Sequence, residues 1–205
     1  MAGIGLFSMA CRQNVITPGN QLSSRVENYP KEALSTFEES SLIHMREEEK
    51  LARDVYKVLY STWMINIFNN IAQSEQTHTD AVAVLLDRYE LSDPVGNDQP
   101  GVFVNESLQN LYNSLVETGS QSIENALTVG ATIEDLDLFD LEEALKSVDN
   151  QDITFVYENL SKGSRNHMRS FYDRLGSYGQ DYSPQYISSD YFLEIITTNK
   201  ETGAW

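Results

Sequence analysis

Hydrophobic residues recur along most of the chain at alternating steps of three and four positions, the spacing of one face of an α-helix. The pattern predicts four long amphipathic helices, over about residues 36–63, 66–89, 122–147 and 152–176. It also predicts a short extra helix over about 105–119 and a last one over 188–197. No segment alternates convincingly as a β-strand does. The sequence therefore predicts an all-α fold.

Two regions lack helical periodicity. One is residues 1–34, which carry Pro18, Gly19 and Pro30 among many Ser and Asn residues. The other is the Tyr-rich stretch between Gly176 and the last predicted helix. We expect 1–34 to be an N-terminal tail or a processed segment and 35–200 to form one domain, since 205 residues suit a single core.

The first eleven residues leave localisation open. They end small-small-Cys at Cys11 and faintly resemble the end of a bacterial lipoprotein signal, but they lack a positively charged start and a long apolar stretch. We favour an unstructured tail over a signal. The localisation stays unknown: the protein is cytoplasmic, or it is exported and lipid-anchored if the segment that ends at Cys11 is a lipoprotein signal. Cys11 is the single cysteine, which excludes an internal disulfide and a Cys-based metal site.

Charge excludes several kinds of partner. The chain has 14 basic and 31 acidic residues, a formal net charge of −17. Such a surface repels nucleic acid and anionic lipid heads. No apolar run reaches the length of about 18 residues that a membrane-spanning helix needs. Most of the carboxylates are expected to be solvated surface residues.

Ionisable residues interrupt the apolar stripes of all four long helices. The positions concerned are Glu49, Glu75, His78, Glu134, Asp137 and His167. Burying a lone carboxylate costs several kcal/mol even after relaxation. Basic residues are too scarce on these faces to balance the four carboxylates. Two divalent metal ions would supply four positive charges and balance them.

The spacing of Glu75 and His78 supports metal binding. Residues at i and i+3 project together from a helix, so the pair offers a carboxylate and an imidazole to one point. Mixed Glu and His ligands suit iron or manganese better than calcium or a structural zinc ion, although zinc stays an alternative. Two of the three histidines, His78 and His167, fall on core faces, whereas His44 is interpreted as a surface residue. A single core histidine is more often a hydrogen-bonded structural residue.

These residues resemble those of a known superfamily. The run Glu49-Lys-Leu-Ala-Arg53-Asp-Val-Tyr56 and the run Ala72-Gln-Ser-Glu75-Gln-Thr-His78 are similar to motifs on the first two helices of rubrerythrin-type ferritin-like proteins. More closely, the stretches MREEEKLARDVY, SEQTHTDAV, GATIEDLDLFDL and GSRNHMRSF resemble domain of unknown function 2202, a ferritin-like family. The resemblance covers about residues 36–200 and implies a ferritin-like four-helix bundle.

The resemblance implies a di-iron site held by Glu49, Glu75 with His78, Glu134 and His167. The ferritin-like scheme places a second Glu-x-x-His pair on the fourth helix, but Ser164 stands three residues before His167. From its spacing, Asp137 is a candidate for the missing carboxylate. Tyr56 is a candidate for a residue beside the site, with core packing as the alternative.

Several functions follow from this set. The leading hypothesis is a di-iron oxidase or peroxidase that uses O₂ or H₂O₂ with an external electron donor, since the chain has no Cys-x-x-Cys pair; whether the protein is an enzyme stays open. The main alternative is a metal-free helical module for protein–protein contact. An iron-storage subunit and a hydrolase with one zinc or manganese ion are further alternatives. The resemblance makes a homodimer one option, and the oligomeric state stays open.

Overall fold

The structure is a computed structural model that describes residues 18–203, with side chains described from residue 22 onwards. Within these residues it contains seven α-helices and no β-strand, as the sequence predicts. The helices are α1 (Pro18–Val26), α2 (Thr36–Trp63), α3 (Asn66–Arg88), α4 (Glu106–Gly119), α5 (Ile123–Leu145), α6 (Gln151–Gly176) and α7 (Ser189–Thr197). Residues 1–17, which include Cys11, lie outside the described residues.

Local capping residues fix most of the helix starts. Ser35 and Glu38 form a reciprocal capping box at the start of α2. The side chains of Asn105, Ser122 and Ser188 accept backbone N–H groups at the starts of α4, α5 and α7. Because such caps depend on neighbouring residues, the predicted helix ends lie within about two residues of the observed ones.

Asp152 lies at the predicted start of the fourth long helix, where an acidic residue is a candidate N-cap, and this interpretation is wrong. Asn150 precedes α6, and Asp152 lies inside its first turn. Asp152 is fully buried, where it accepts hydrogen bonds from Tyr89 and pairs with Arg88 at 2.8 Å. A long-range partner, rather than the helix start, therefore explains the acidic side chain.

Helix α1 was not expected from the sequence. Its side chains Leu22 and Val26 are buried, and the helix contacts α3 and α6. Two apolar residues one turn apart give too short a pattern to distinguish a helix from a loop.

The four long helices contact one another in pairs. Helix α2 packs along α3 and α5 along α6, while contacts of α3 with α6 and of α2 with α5 join the two pairs. Helix α4 lies against α2 and α5, and α7 lies against α6.

The buried apolar residues form two clusters. One cluster contains Tyr56, Phe68 and Phe171, and the other contains Leu42, Leu85 and Leu160. On each long helix the sequence runs from one cluster to the other through the ionisable positions of the stripes. The polar residues therefore lie between two apolar layers, which keep bulk water from both sides.

A second polar network lies behind α2. Arg46, Lys50 and Arg53 are buried although they lie off the apolar stripe. The Lys50 ammonium contacts Asp54 at 2.6 Å, and Arg53 donates to Asp54 and Asp98. The connection between α3 and α4 covers this face, so these basic residues balance carboxylates there and not those in the core.

The irregular segment after α6 is held by one buried carboxylate. Asp135 of α5 accepts hydrogen bonds from the Tyr182 hydroxyl and from the backbone N–H groups of Gln185 and Ile187. These bonds keep the segment on α5. No described helix is long and apolar enough to cross a membrane.

Candidate metal centre

The six ionisable residues of the apolar stripes are all buried, each at most 7% exposed. Helix α2 supplies Glu49, α3 supplies Glu75 and His78, α5 supplies Glu134 and Asp137, and α6 supplies His167. The structure therefore brings side chains from all four long helices to one region of the core.

The first group of close donor atoms contains Glu49, Glu75 and His78. His78 Nδ1 lies 2.7 Å from Glu75 Oε2 and 3.1 Å from Glu49 Oε2. Because Glu75 and His78 are three residues apart on α3, the helix itself sets their approach, and α2 adds Glu49 from the neighbouring face.

The second group contains Glu75, Glu134 and His167. His167 Nδ1 lies 2.8 Å from Glu75 Oε1 and 3.4 Å from Glu134 Oε2. Glu75 thus belongs to both groups and directs one oxygen toward each histidine. Each group has one histidine, one carboxylate of its own and a share of Glu75.

The two imidazole rings lie side by side, with centroids 5.5 Å apart and planes tilted by 25°. His167 Nε2 contacts the Ser74 hydroxyl at 3.0 Å, which leaves Nδ1 directed at the carboxylates. Gly163 of α6 faces the His78 ring so closely that a Cβ there would overlap it. Sequence reasoning missed Ser74 and Gly163, since neither carries a charge or interrupts the apolar pattern.

Asp137 lies beside the serine that replaces the expected fourth-helix glutamate. The buried Ser164 hydroxyl donates a hydrogen bond to Asp137 Oδ2. Asp137 is not part of either three-residue group. The structure therefore places this carboxylate against position 164 of α6, with its other oxygen free of hydrogen bonds.

Tyr56 contacts the centre through its hydroxyl. This fully buried group donates to Glu134 Oε1 at 2.5 Å and lies 3.2 Å from the Gly130 carbonyl oxygen. The ring packs on Phe68 and Phe171. Tyr56 is therefore a core residue whose hydroxyl also contacts a carboxylate of the second group.

Burial and crowding perturb the titration of the carboxylates. Burial, reinforced by Asp137, raises the pKa of Glu49 well above its usual range. Burial and the nearby Glu134 raise the pKa of Asp137 to about 7. Burial acts in the same direction on Glu75, but His78 and His167 outweigh it and lower the pKa of Glu75.

The histidines shift in the opposite sense to an isolated buried imidazole. Burial alone would lower the pKa of His167, yet Glu75 and Glu134 raise it to about 10. The same balance, with Glu75 and Glu49, raises the pKa of His78 well above its usual value. The surrounding carboxylates therefore favour positive charge at both imidazole positions.

Hydrogen bonding at the centre is incomplete. Atoms without a hydrogen-bond partner include Glu49 Oε1 and Asp137 Oδ1. His167 Nδ1 and Glu75 Oε1, 2.8 Å apart, form an ion pair with each other. A buried polar atom left unpaired costs about 1–3 kcal/mol. Metal coordination would satisfy these atoms, and carboxylate oxygens with imidazole nitrogens fit a divalent first-row transition metal.

The structure also contains a third group of possible metal ligands, which the sequence did not predict. His44, Glu48 and Asp140 lie together at one side of the α2–α5 contact. Glu48 was not singled out because it is adjacent to Glu49 and lies off the apolar stripe, and His44 was interpreted as an ordinary surface residue.

Comparisons with known proteins agree on one family. A family model described as "Uncharacterized protein domain (DUF2202)" matches residues 38–199. A protein of Methanocaldococcus jannaschii named "Uncharacterized protein MJ0754" is 56% identical over 178 residues, which cover 87% of this chain and 96% of that protein. The crystal structure of hypothetical protein MJ0754 from Methanococcus jannaschii is similar, with 57% identity and a TM-score of 0.83, over 84% of this chain and 98% of that chain.

Proposed function

This chain belongs to the DUF2202 family, and we propose that it is a ferritin-like protein whose buried centre binds two metal ions. The proposed domain spans residues 35–200, with α2, α3, α5 and α6 as the four helices of the bundle. The observation that carries the proposal is the position of Glu75, whose two oxygens lie 2.7 and 2.8 Å from Nδ1 of His78 and of His167.

The donor set divides evenly between two ions. Glu49 and His78 would hold one ion, Glu134 and His167 would hold the other, and Glu75 would be shared. Asp137 is the fourth carboxylate, and its unbonded oxygen supports a role as a further ligand. Four carboxylates then balance two divalent ions, which accounts for buried acids that have histidine but no Lys or Arg beside them.

Iron is the proposed metal, with manganese or zinc as alternatives, because mixed carboxylate and imidazole ligands suit these ions. Bound iron would supply the one-electron chemistry that reduces O₂ or H₂O₂. The protein's own residues hold and shield the ions. Two apolar layers exclude water, Ser74 orients His167, and the Tyr56 hydroxyl orients Glu134.

Because the sequence has a single cysteine and therefore no Cys-x-x-Cys pair, we propose an external electron donor for any reductive turnover. A metal-free interaction module remains the alternative. Glu49 Oε1 and Asp137 Oδ1 lack hydrogen-bond partners and favour the metal-binding proposal over it, since a network evolved without metal would be expected to pair its buried polar atoms.

Metal analysis with an oxygen electrode tests the proposal. The full chain is loaded anaerobically with Fe²⁺, desalted and analysed for iron, and then exposed to O₂. We expect Glu75→Gln to lose both inner ions and the associated O₂ consumption while keeping its helical circular dichroism. Asp80→Asn, an exposed change on the same helix, is the control and should match the parent. Equal iron content in the parent and in Glu75→Gln would contradict the proposal.

A further inference from the structure

Three further ligand-type side chains meet outside the centre described above. His44 and Glu48 are four residues apart on α2, and Asp140 reaches them from α5. His44 Nε2 lies 3.5 Å from Glu48 Oε2 and 3.6 Å from Asp140 Oδ2. One donor atom from each residue falls within 4.8 Å of the others.

Glu48 is the unusual member of this group. The residue is only 4% exposed, and neither of its carboxylate oxygens has a hydrogen-bond partner. Much of its surroundings is apolar, because the adjoining small cavity is lined by residues such as Leu51, Ile133 and Leu136. A buried carboxylate without donors is costly, and the nearby groups that face it on α2 and α5 include the acids Glu49, Asp137 and Asp140.

His44 and Asp140 make the group accessible. The His44 side chain is 40% exposed and that of Asp140 is 29% exposed. An ion at this point would have Glu48 on its protein side and water on the other. The inner centre offers no such opening, since all its ligands are buried.

We propose that His44, Glu48 and Asp140 form a third cation site, which takes one divalent first-row transition metal ion such as Zn²⁺, Mn²⁺ or Fe²⁺. One imidazole and two carboxylates are the ligand types that these ions share. Water completes the coordination. Calcium and magnesium are disfavoured because they prefer oxygen ligands.

The third site shares no ligand with the inner centre, so it does not depend on the proposed function. The two are nonetheless close along both helices: Glu48 precedes Glu49, and Asp140 follows Asp137 by three residues. Because the two sites share no ligand, a substitution of an inner ligand disables the inner centre and leaves all three residues of the third site in place.

Histidine nuclear magnetic resonance with Zn²⁺ tests the proposal. The chain has three histidines, so the imidazole signals of His44 are identified by their loss in His44→Ala. The titration is carried out on the Glu75→Gln protein, whose inner centre is disabled. We expect Zn²⁺ to shift the His44 signals there, with an affinity that falls at least about tenfold in Glu75→Gln/Asp140→Asn.

Glu75→Gln/Asp87→Asn is the matched control, since Asp87 is an exposed aspartate of α3; it should bind Zn²⁺ as Glu75→Gln does. His44 signals that stay unmoved by Zn²⁺ would overturn the proposal and favour a proton shared between Glu48 and Asp140. Equal affinity in the Asp140→Asn and Asp87→Asn proteins would also overturn it. Because the inner centre is disabled throughout, neither result bears on whether it binds metal.

Discussion

Glu75 lies where an apolar residue would complete the stripe of α3, and it is 2% exposed. Its position is tolerated because both oxygens lie beside imidazole nitrogens. The same two contacts explain why Glu75 is the acid of the centre whose pKa falls, whereas burial raises the pKa of Glu49 and of Asp137.

Tyr56 provides a test of how the centre is oriented. In Tyr56→Phe the ring stays packed, but Glu134 loses the hydrogen bond that fixes its carboxylate. Loss of such a supporting bond typically weakens metal binding about 10- to 100-fold. We expect this loss of affinity for Mn²⁺, measured by electron paramagnetic resonance titration. Tyr157→Phe is the control, because that buried hydroxyl bonds Ser41 instead. Equal Mn²⁺ affinities in Tyr56→Phe and Tyr157→Phe would show that Tyr56 contributes to core packing and does not support metal binding.

Glu38 provides a pH test away from the centre. Its carboxylate accepts backbone N–H groups of Ser35 and Asn150 and so links the start of α2 to the start of α6. Burial would raise the pKa of Glu38, but these hydrogen bonds outweigh it and lower the pKa. The charged carboxylate therefore stabilises the fold above its unfolded pKa of about 4.3, and the stabilisation is lost as pH falls through the folded pKa.

We expect Glu38→Gln to reduce the free energy of unfolding by about 2 kcal/mol at pH 7, and the difference from the parent to shrink below about pH 4. Urea denaturation at several pH values measures the free energy of unfolding of both proteins. Glu39→Gln, at an exposed position one residue on, should change stability little at any pH. A Glu38→Gln deficit that is the same at pH 7 and pH 3 would contradict this assignment.

At the level of the helix, Gly163 lets α6 approach the His78 ring of α3. We expect Gly163→Ala to displace His78 and weaken Mn²⁺ binding at least about tenfold, although alanine favours a helix more than glycine does. Gly176→Ala is the control, because a Cβ there has open space around it. Isothermal titration calorimetry compares the two proteins. Unchanged binding in Gly163→Ala would show that the ring position is not needed.

The helices of this protein could be predicted from its sequence because their apolar stripes are long and their caps are local. Helix α1 could not, since only Leu22 and Val26 carry its pattern. The burial of Arg53 was also missed, because the connection between α3 and α4 covers a face that the periodicity of α2 leaves polar.

The residues of the centre could be proposed from the sequence because each one interrupts an apolar stripe. Their mutual arrangement could not. That Glu75 lies between the two histidines, and that Asp137 bonds Ser164, depends on how α3, α5 and α6 are placed. Glu48 was missed because it points toward α5 from beside the stripe.

For the whole molecule, the crowded carboxylates predict that metal stabilises the fold. An ion that binds only the folded state adds about 2.7 kcal/mol at a concentration one hundred times its Kd. For a chain of this size we expect Mn²⁺ to raise the Tm by about 5–10 °C. The measurement uses the Asp140→Asn background, so that only the inner centre contributes.

Thermal unfolding followed by circular dichroism, with and without Mn²⁺, gives this shift. Adding Glu75→Gln to the Asp140→Asn background should abolish most of it, and Mg²⁺ should produce little of it in either protein. A Tm that Mn²⁺ leaves unchanged in the Asp140→Asn protein would contradict a metal-binding core.

In the proposed centre, Glu75 would be shared by two metal ions. Anomalous X-ray diffraction at the iron edge, from crystals of the protein loaded with Fe²⁺, tests whether both ions bind. We predict two anomalous peaks in the core, one beside Glu49 and His78 and one beside Glu134 and His167. A core without any peak, or with a single peak at full loading, would contradict the two-metal centre.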